Sequence, residues 1–187
     1  MRRIVLLLPL LLGLGFGQNL LVNGDFEQPL TTGWTETHEG YGTITFDRQT
    51  GYQPDSDYEA MDSIYAGAGS TRLSQIVEVP GPLLELNFTA KFELGGGTSV
   101  TCWPVAAVAV GYYDALDNKL GETRFYRHDS NCAWTPTSTL SLIEVTNPDW
   151  QSYQLNIADE LNTNLPGVDP ALVMRVGVAL FDTTAGG

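Results

Sequence analysis

Residues 84–94, LELNFTAKFEL, alternate without interruption: Leu84, Leu86, Phe88, Ala90, Phe92 and Leu94 are apolar, and Glu85, Asn87, Thr89, Lys91 and Glu93 are polar. Successive side chains of a strand leave on opposite faces, so a period of two collects the apolar groups on one side of a sheet. A helix would scatter them around its circumference. One apolar face requires a covering layer, and the other patterned stretches are also short and strand-like: 43–47, 105–113, 120–127, 139–145, 150–157 and 172–181. Only 158–161 reads as a helical turn. The pattern therefore predicts an all-β chain, a two-sheet antiparallel β-sandwich.

The first seventeen residues read differently. Arg2 and Arg3 precede an apolar run over 4–14, broken only by Pro9 and Gly13, and Gly15-Phe16-Gly17 supplies small residues for a signal peptidase. The expectation is a signal peptide over 1–17 and a single domain over 18–187, secreted or extracytoplasmic, at the cell surface or in the periplasm. A retained anchor is the rival reading, but the run is shorter than the roughly 20 residues a spanning helix needs. No cysteine follows it to carry a lipid.

Charge narrows the partners. Lys plus Arg is 9 against 22 Asp plus Glu, and loss of Arg2 and Arg3 with the leader moves the net charge from -13 to -15. No basic cluster is present to meet phosphates, which argues against nucleic acid and against an anionic membrane surface. So many carboxylates serve solubility, and they also suit calcium, whose ligands are oxygens. The polar stretch 49–62 holds Asp55, Asp57, Glu59 and Asp62, but it is no EF-hand: counting from Asp55, position six is Ala60 and position twelve is Ala66.

Cys102 and Cys132 are the two cysteines, and in an exported chain they predict one disulfide. Between them lie strand 105–113, a turn-rich linker 114–119 and strand 120–127, so a hairpin folded about residue 117 brings the sulfurs together. A loop of this size would be stabilised by roughly 3–4 kcal/mol in the chain-entropy model. A zinc site lacks ligands, because His128 is the only histidine nearby.

Four stretches carry a resemblance. Residues 19–34 read NLLVNGDFEQPLTTGW, 64–69 read IYAGAG, 73–80 read LSQIVEVP, and 150–157 read WQSYQLNI. In this order they resemble the carbohydrate-binding modules of the CenC type, families four, nine and twenty-two, whose fold is a galactose-binding-like jelly roll. Leu20, Leu21 and Val22 read as a short strand start before the turn Asn23-Gly24-Asp25, and the resemblance implies an interior position for Trp34 and Trp150 and polysaccharide of the β-glucan or xylan type bound on a concave sheet face. It also implies a structural Ca2+ near Glu27 and Asp25, with Asp57 and Glu59 as further acids. A final strand of the type Y-F-D-N-V, which would add an aspartate to that site, is expected to be missing here: either the sequence is a truncated copy, or the sandwich closes without that strand and leaves a sheet edge unpaired.

Centring the hairpin on the cysteines sets Tyr112 opposite Glu122, Val110 opposite Arg124 and Val108 opposite Tyr126. The expected exposed face then carries Tyr112, Glu122, Arg124 and Tyr126, and the packed face Val105, Ala107, Ala109, Gly111, Thr123, Phe125 and Arg127. A cross-strand ion pair with two half-buried tyrosines is the alternative. Trp103 and Trp134 flank the expected bridge, either as platforms for a sugar ring or packed over the disulfide. Tyr41 and Tyr52 are weaker rim candidates. His38 and His128 sit in no nucleophile or metal pattern, and neither G-x-S-x-G nor a Gly-rich phosphate loop occurs. The expectation is a non-catalytic glycan-binding module. A ligandless structural or adhesive envelope domain is the alternative, and a glycoside hydrolase follows behind it.

Overall fold

The computed structural model of the protein describes residues 19–52, 56–81, 83–95, 104–129 and 134–184. Cys102, Trp103, Cys132, Asp55 and the leader 1–17 lie outside the described residues, as does the expected disulfide. The elements run β1 (Thr35–Gln49), β2 (Glu59–Glu78), β3 (Glu85–Ala90), β4 (Val105–Tyr113), β5 (Lys119–His128), β6 (Leu140–Glu144), β7 (Gln151–Asn156), α1 (Ile157–Thr163), a 3-10 turn (Pro170–Leu172) and β8 (Arg175–Thr183). They build a six-stranded sheet in the order β1-β2-β8-β4-β5-β6, covered by the two-stranded sheet β3-β7. The fold is the expected all-β sandwich. It departs from a wholly antiparallel arrangement at one place, where β6 runs parallel to β5. β6 and β7 belong to different sheets.

The alternating stretch behaves as its pattern requires. Leu86, Phe88 and Ala90 of β3 point inward while Glu85, Asn87 and Thr89 are exposed, and the alternation continues past the strand through buried Phe92 and exposed Glu93. Phe88 stacks on Tyr153 of β7 at 5.1 Å and meets the Phe125 ring of β5 edge-on at 5.1 Å, which joins the two layers. Below them lie Val108, Val110 and Tyr112 of β4 and Val176 of β8. Each fully buried side chain of this size contributes about 1.5–3 kcal/mol. Helix α1 has only seven residues, too short to persist alone. Asn156 caps it by accepting from the Asp159 amide at 3.0 Å, and Leu161, 1 % exposed, anchors it in the core. Among the described residues β3 has a strand partner on one side only, and a groove of about 340 Å³ beside it is lined by Leu21, Val77, Leu84, Leu86 and Val176.

The small-residue motif at 64–69 has a steric cause. β1 and β2 pair closely on both sides of an irregularity between Tyr41 and Thr43. A Cβ on Gly67 would lie 1.9 Å from the Tyr41 carbonyl oxygen, and one on Gly69 2.2 Å from that of Glu39, so both positions require glycine. Residues 20–22 are not the expected strand: Leu20 is irregular, Leu21 is a bend and Val22 opens a turn. The Gln75 side chain takes the place of a neighbouring backbone there, accepting from the Val22 amide at 2.7 Å and donating to its carbonyl at 2.8 Å.

Candidate functional site: the outer face of the six-stranded sheet

One residue decides what this face carries. The turn 114–118 is held by Asp114, whose Oδ1 accepts from the Leu116 amide at 2.8 Å and the Asn118 amide at 2.9 Å, with Asp117 in the left-handed region at φ 65°. Tyr113 then pairs with Lys119, but Tyr112 pairs with Gly121, so Leu120 is an extra residue in β5. Beyond this bulge the register is Gly111↔Glu122, Ala109↔Arg124 and Ala107↔Tyr126. It differs by one residue from the cysteine-centred expectation, and a one-residue slip exchanges the faces of a strand.

The correction follows directly. Tyr112 is not on the open face: it is 0 % exposed in the interior, where its hydroxyl meets Thr123 Oγ1 at 2.9 Å. Phe125 and Thr123 accompany it inward. Val105, Ala107, Ala109 and Gly111, expected to be interior, instead share the outer face with Glu122, Arg124 and Tyr126. Tyr126 is on that face but only 5 % exposed, covered by Trp134 stacked at 5.2 Å and His128 stacked at 5.2 Å.

Rows of paired residues cross the sheet. One runs Arg72–Phe181–Ala107–Tyr126, the next Ser74–Ala179–Ala109–Arg124, and the third Ile76–Gly177–Gly111–Glu122. Small residues make a floor, and long side chains from the flanking strands lie over it. The Arg124 guanidinium stands 4.2 Å from the centre of the Trp134 ring and 5.4 Å from that of Phe181, and Arg72 stands 4.9 Å from Phe181. Glu122 binds Lys119 and Arg124 directly and Arg72 at 3.8 Å. Burial alone would raise the Glu122 carboxyl, but Arg124 and Lys119 outweigh it and hold it below the ordinary glutamate range. The Tyr113 ring leans over Gly111 and Gly177, where added Cβ atoms would lie 2.7 and 2.9 Å from it. A depression of about 40 Å³ remains between Tyr113, Arg72, Ser74 and Ile76.

Of the residues singled out in the sequence, Glu122, Arg124, Tyr126 and Trp134 come together. Arg72, Lys119, Tyr113 and Phe181 complete the face and went unnoticed in the sequence. Their one visible signal was scarcity: in a chain with nine Lys plus Arg, three converge on a single carboxylate. Trp34 is 7 % exposed, as expected of an interior residue, and donates from Nε1 to the Asn23 carbonyl at 3.0 Å. Trp150 is only partly buried and donates to the Tyr52 carbonyl at 2.9 Å. Tyr41 is 74 % exposed on β1, and the Tyr52 hydroxyl is taken by Asp47 at 2.8 Å.

The amino-terminal turn holds the residues associated with calcium. Asp25 Oδ1 accepts from the Glu27 amide at 3.4 Å, and Glu27 Oε1 accepts from the Tyr58 amide at 3.2 Å. The positive charge at this turn belongs to Arg48, whose Nε donates to the Phe26 carbonyl while its guanidinium lies 3.4 Å from the centre of the Tyr58 ring. Glu59 opens β2, and Asp57 sits two residues ahead of it. Among the described residues no group of three or more His, Cys, Asp or Glu side chains is arranged to hold a metal.

Scans against family models and curated proteins return no match. Among solved structures, the chain is similar to the enzymatically active domain of bacteriophage CBA120 tailspike protein 4. The TM-score is 0.52 and the identity 15 %, over 89 % of this chain and 19 % of that one. The likeness is one of fold. Among the described residues no helix is long and apolar enough to cross a membrane.

Proposed function

We propose that this is an exported, non-catalytic module that binds polysaccharide on the outer face of the six-stranded sheet. The observation that carries the reading is the pair of arginines, Arg72 and Arg124, laid against aromatic rings above a floor of Gly111, Gly177, Ala109 and Ala179. A sugar ring packs its C–H groups on small residues and on a ring such as Tyr113, while its hydroxyls pair with planar guanidinium and carboxylate groups held in place beforehand. The resemblance of residues 19–34, 64–69, 73–80 and 150–157 to CenC-type modules points the same way. Glu122 favours binding over hydrolysis, since a carboxyl kept ionised by three cations is a poor proton donor to a leaving group.

Electrophoresis through gels containing soluble β-glucan or xylan tests this. Retardation by one of them, reduced in Arg72→Ala and Tyr113→Ala, is the expected result. Absence of retardation in every gel overturns it and favours a ligandless structural domain. That second reading has its own support, because Tyr126, Trp134 and Phe181 already stack on one another and leave little ring surface open.

A further inference from the structure

Three oxygen-bearing side chains meet on the inner side of the sheet, and two of them, Asp62 and Thr71, hold buried oxygens without a hydrogen-bond partner. Thr71 and Asp182 are partners across β2 and β8, two residues along from the pair Leu73↔Leu180, which packs in the interior. Asp62, from the other half of β2, sets its carboxyl against the Thr71 hydroxyl. Both Asp62 oxygens and Thr71 Oγ1 are sealed from solvent without a hydrogen-bond partner, and Thr71 is 1 % exposed. Buried polar atoms are nearly always paired, and an orphaned hydroxyl is costly, an orphaned carboxylate more so.

Charge is unbalanced in the same place. Burial, followed by the charge of Asp62, pushes the Asp182 carboxyl far above the usual range, and burial pushes Asp62 up to about 7. Glu36 adds further negative charge, and Arg72 relieves it only in part, since its guanidinium is engaged on the opposite face with Phe181 and Glu122. The cluster has oxygens to spare and too little positive charge.

We propose that Asp62, Asp182 and Thr71 form a calcium site. Every donor is a hard oxygen, two carboxylates balance a divalent charge, and backbone carbonyls and water can fill the flexible shell that calcium accepts and magnesium does not. With only two carboxylates the affinity belongs to the range of extracellular modules, about 10⁻⁴–10⁻³ M. The site is distinct from the Glu27 turn, and it does not depend on glycan binding. Its consequence reaches the outer face, because Arg72 and Phe181 are the chain neighbours of Thr71 and Asp182, and an ion clamping the inner pair fixes the register of the outer one.

Thermal melting of the full-length mature protein tests the proposal, in EDTA, 10 mM calcium or 10 mM magnesium. For an affinity on the order of 10⁻³ M, calcium raises Tm by about 3–5 °C and magnesium by much less. The shift is lost in Asp62→Asn and Thr71→Val, both folded by circular dichroism, and kept in Glu27→Gln. Equal melting in calcium and EDTA overturns the proposal and leaves a proton shared between two acids. A shift that survives Asp62→Asn but vanishes in Glu27→Gln also overturns it, placing the ion in the amino-terminal turn.

Discussion

The Arg124 guanidinium lies 4.2 Å from the centre of the Trp134 ring while its Nε bonds the Glu122 carboxylate. Planarity lets one group satisfy both partners, and a lysine ammonium is a point charge without a flat face. Arg124→Lys should therefore preserve folding but lose roughly 1 kcal/mol of stability, the worth of a partly desolvated cation–ring contact. Chemical denaturation measures this. An unchanged midpoint would show that the contact with Trp134 adds nothing.

Gly121 sits at the bulge that sets the face of β5. A Cβ there would lie 2.5 Å from Val168 Cγ2 and 2.9 Å from the Thr139 carbonyl oxygen, and the latter is backbone that cannot swing aside. Gly121→Ala should destabilise the protein by about 1–3 kcal/mol, as overpacking does. Gly51, with nothing within 4 Å of an added Cβ, is the control, and Gly51→Ala should leave the melting temperature nearly unchanged.

The Tyr112 hydroxyl ends a buried chain that passes through Thr123 to Glu160 Oε1 at 2.9 Å. Burial raises the Tyr112 phenol well above its ordinary value, so it stays protonated throughout the physiological range. Tyr112→Phe should cost about 1–2 kcal/mol by removing one buried bond. It should leave any polysaccharide retardation intact, since the ring is interior. Loss of retardation in a folded Tyr112→Phe would mean the outer face is not the binding surface.

Without bound metal, stability should depend on Asp62. Its folded value of about 7 is raised above the ordinary aspartate value of 3.8, chiefly by burial, so between these limits the folded state holds a proton that the unfolded state has released. Stability therefore falls as pH rises from about 4 to 7, by an amount on the order of a few kcal/mol, and the buried Asp182 carboxyl, also raised, adds to the decline. Denaturant titrations in EDTA at pH 4.5 and 7.5 should show this decline, and Asp62→Asn should reduce it and be more stable than the parent at pH 7.5. A parent stability that rises over this interval would contradict the buried placement of Asp62.

Some of the site was legible in the sequence. Glu122, Arg124 and Tyr126 could be placed together because alternate positions of one strand share a face wherever that strand pairs. Tyr112 could not, because its side relative to Glu122 depends on whether the hairpin holds an odd or even number of residues, and the bulge at Leu120 changed that parity. Arg72 and Phe181 were out of reach, since their pairing joins strands separated by most of the chain. Likewise the expected strand at 20–22 has the composition of a strand, yet the Gln75 side chain occupies the position where a neighbouring strand would bond.

Local order alone determined that this chain is a β-sandwich and that the odd residues of 85–93 face water. These follow from alternation within a few neighbours. Tertiary structure alone decided which side of β4 and β5 is buried, which arginines converge on Glu122, and which acids are buried together on the inner side. Those outcomes depend on register between distant strands, and a single inserted residue in a pleated strand turns every later side chain to the other face.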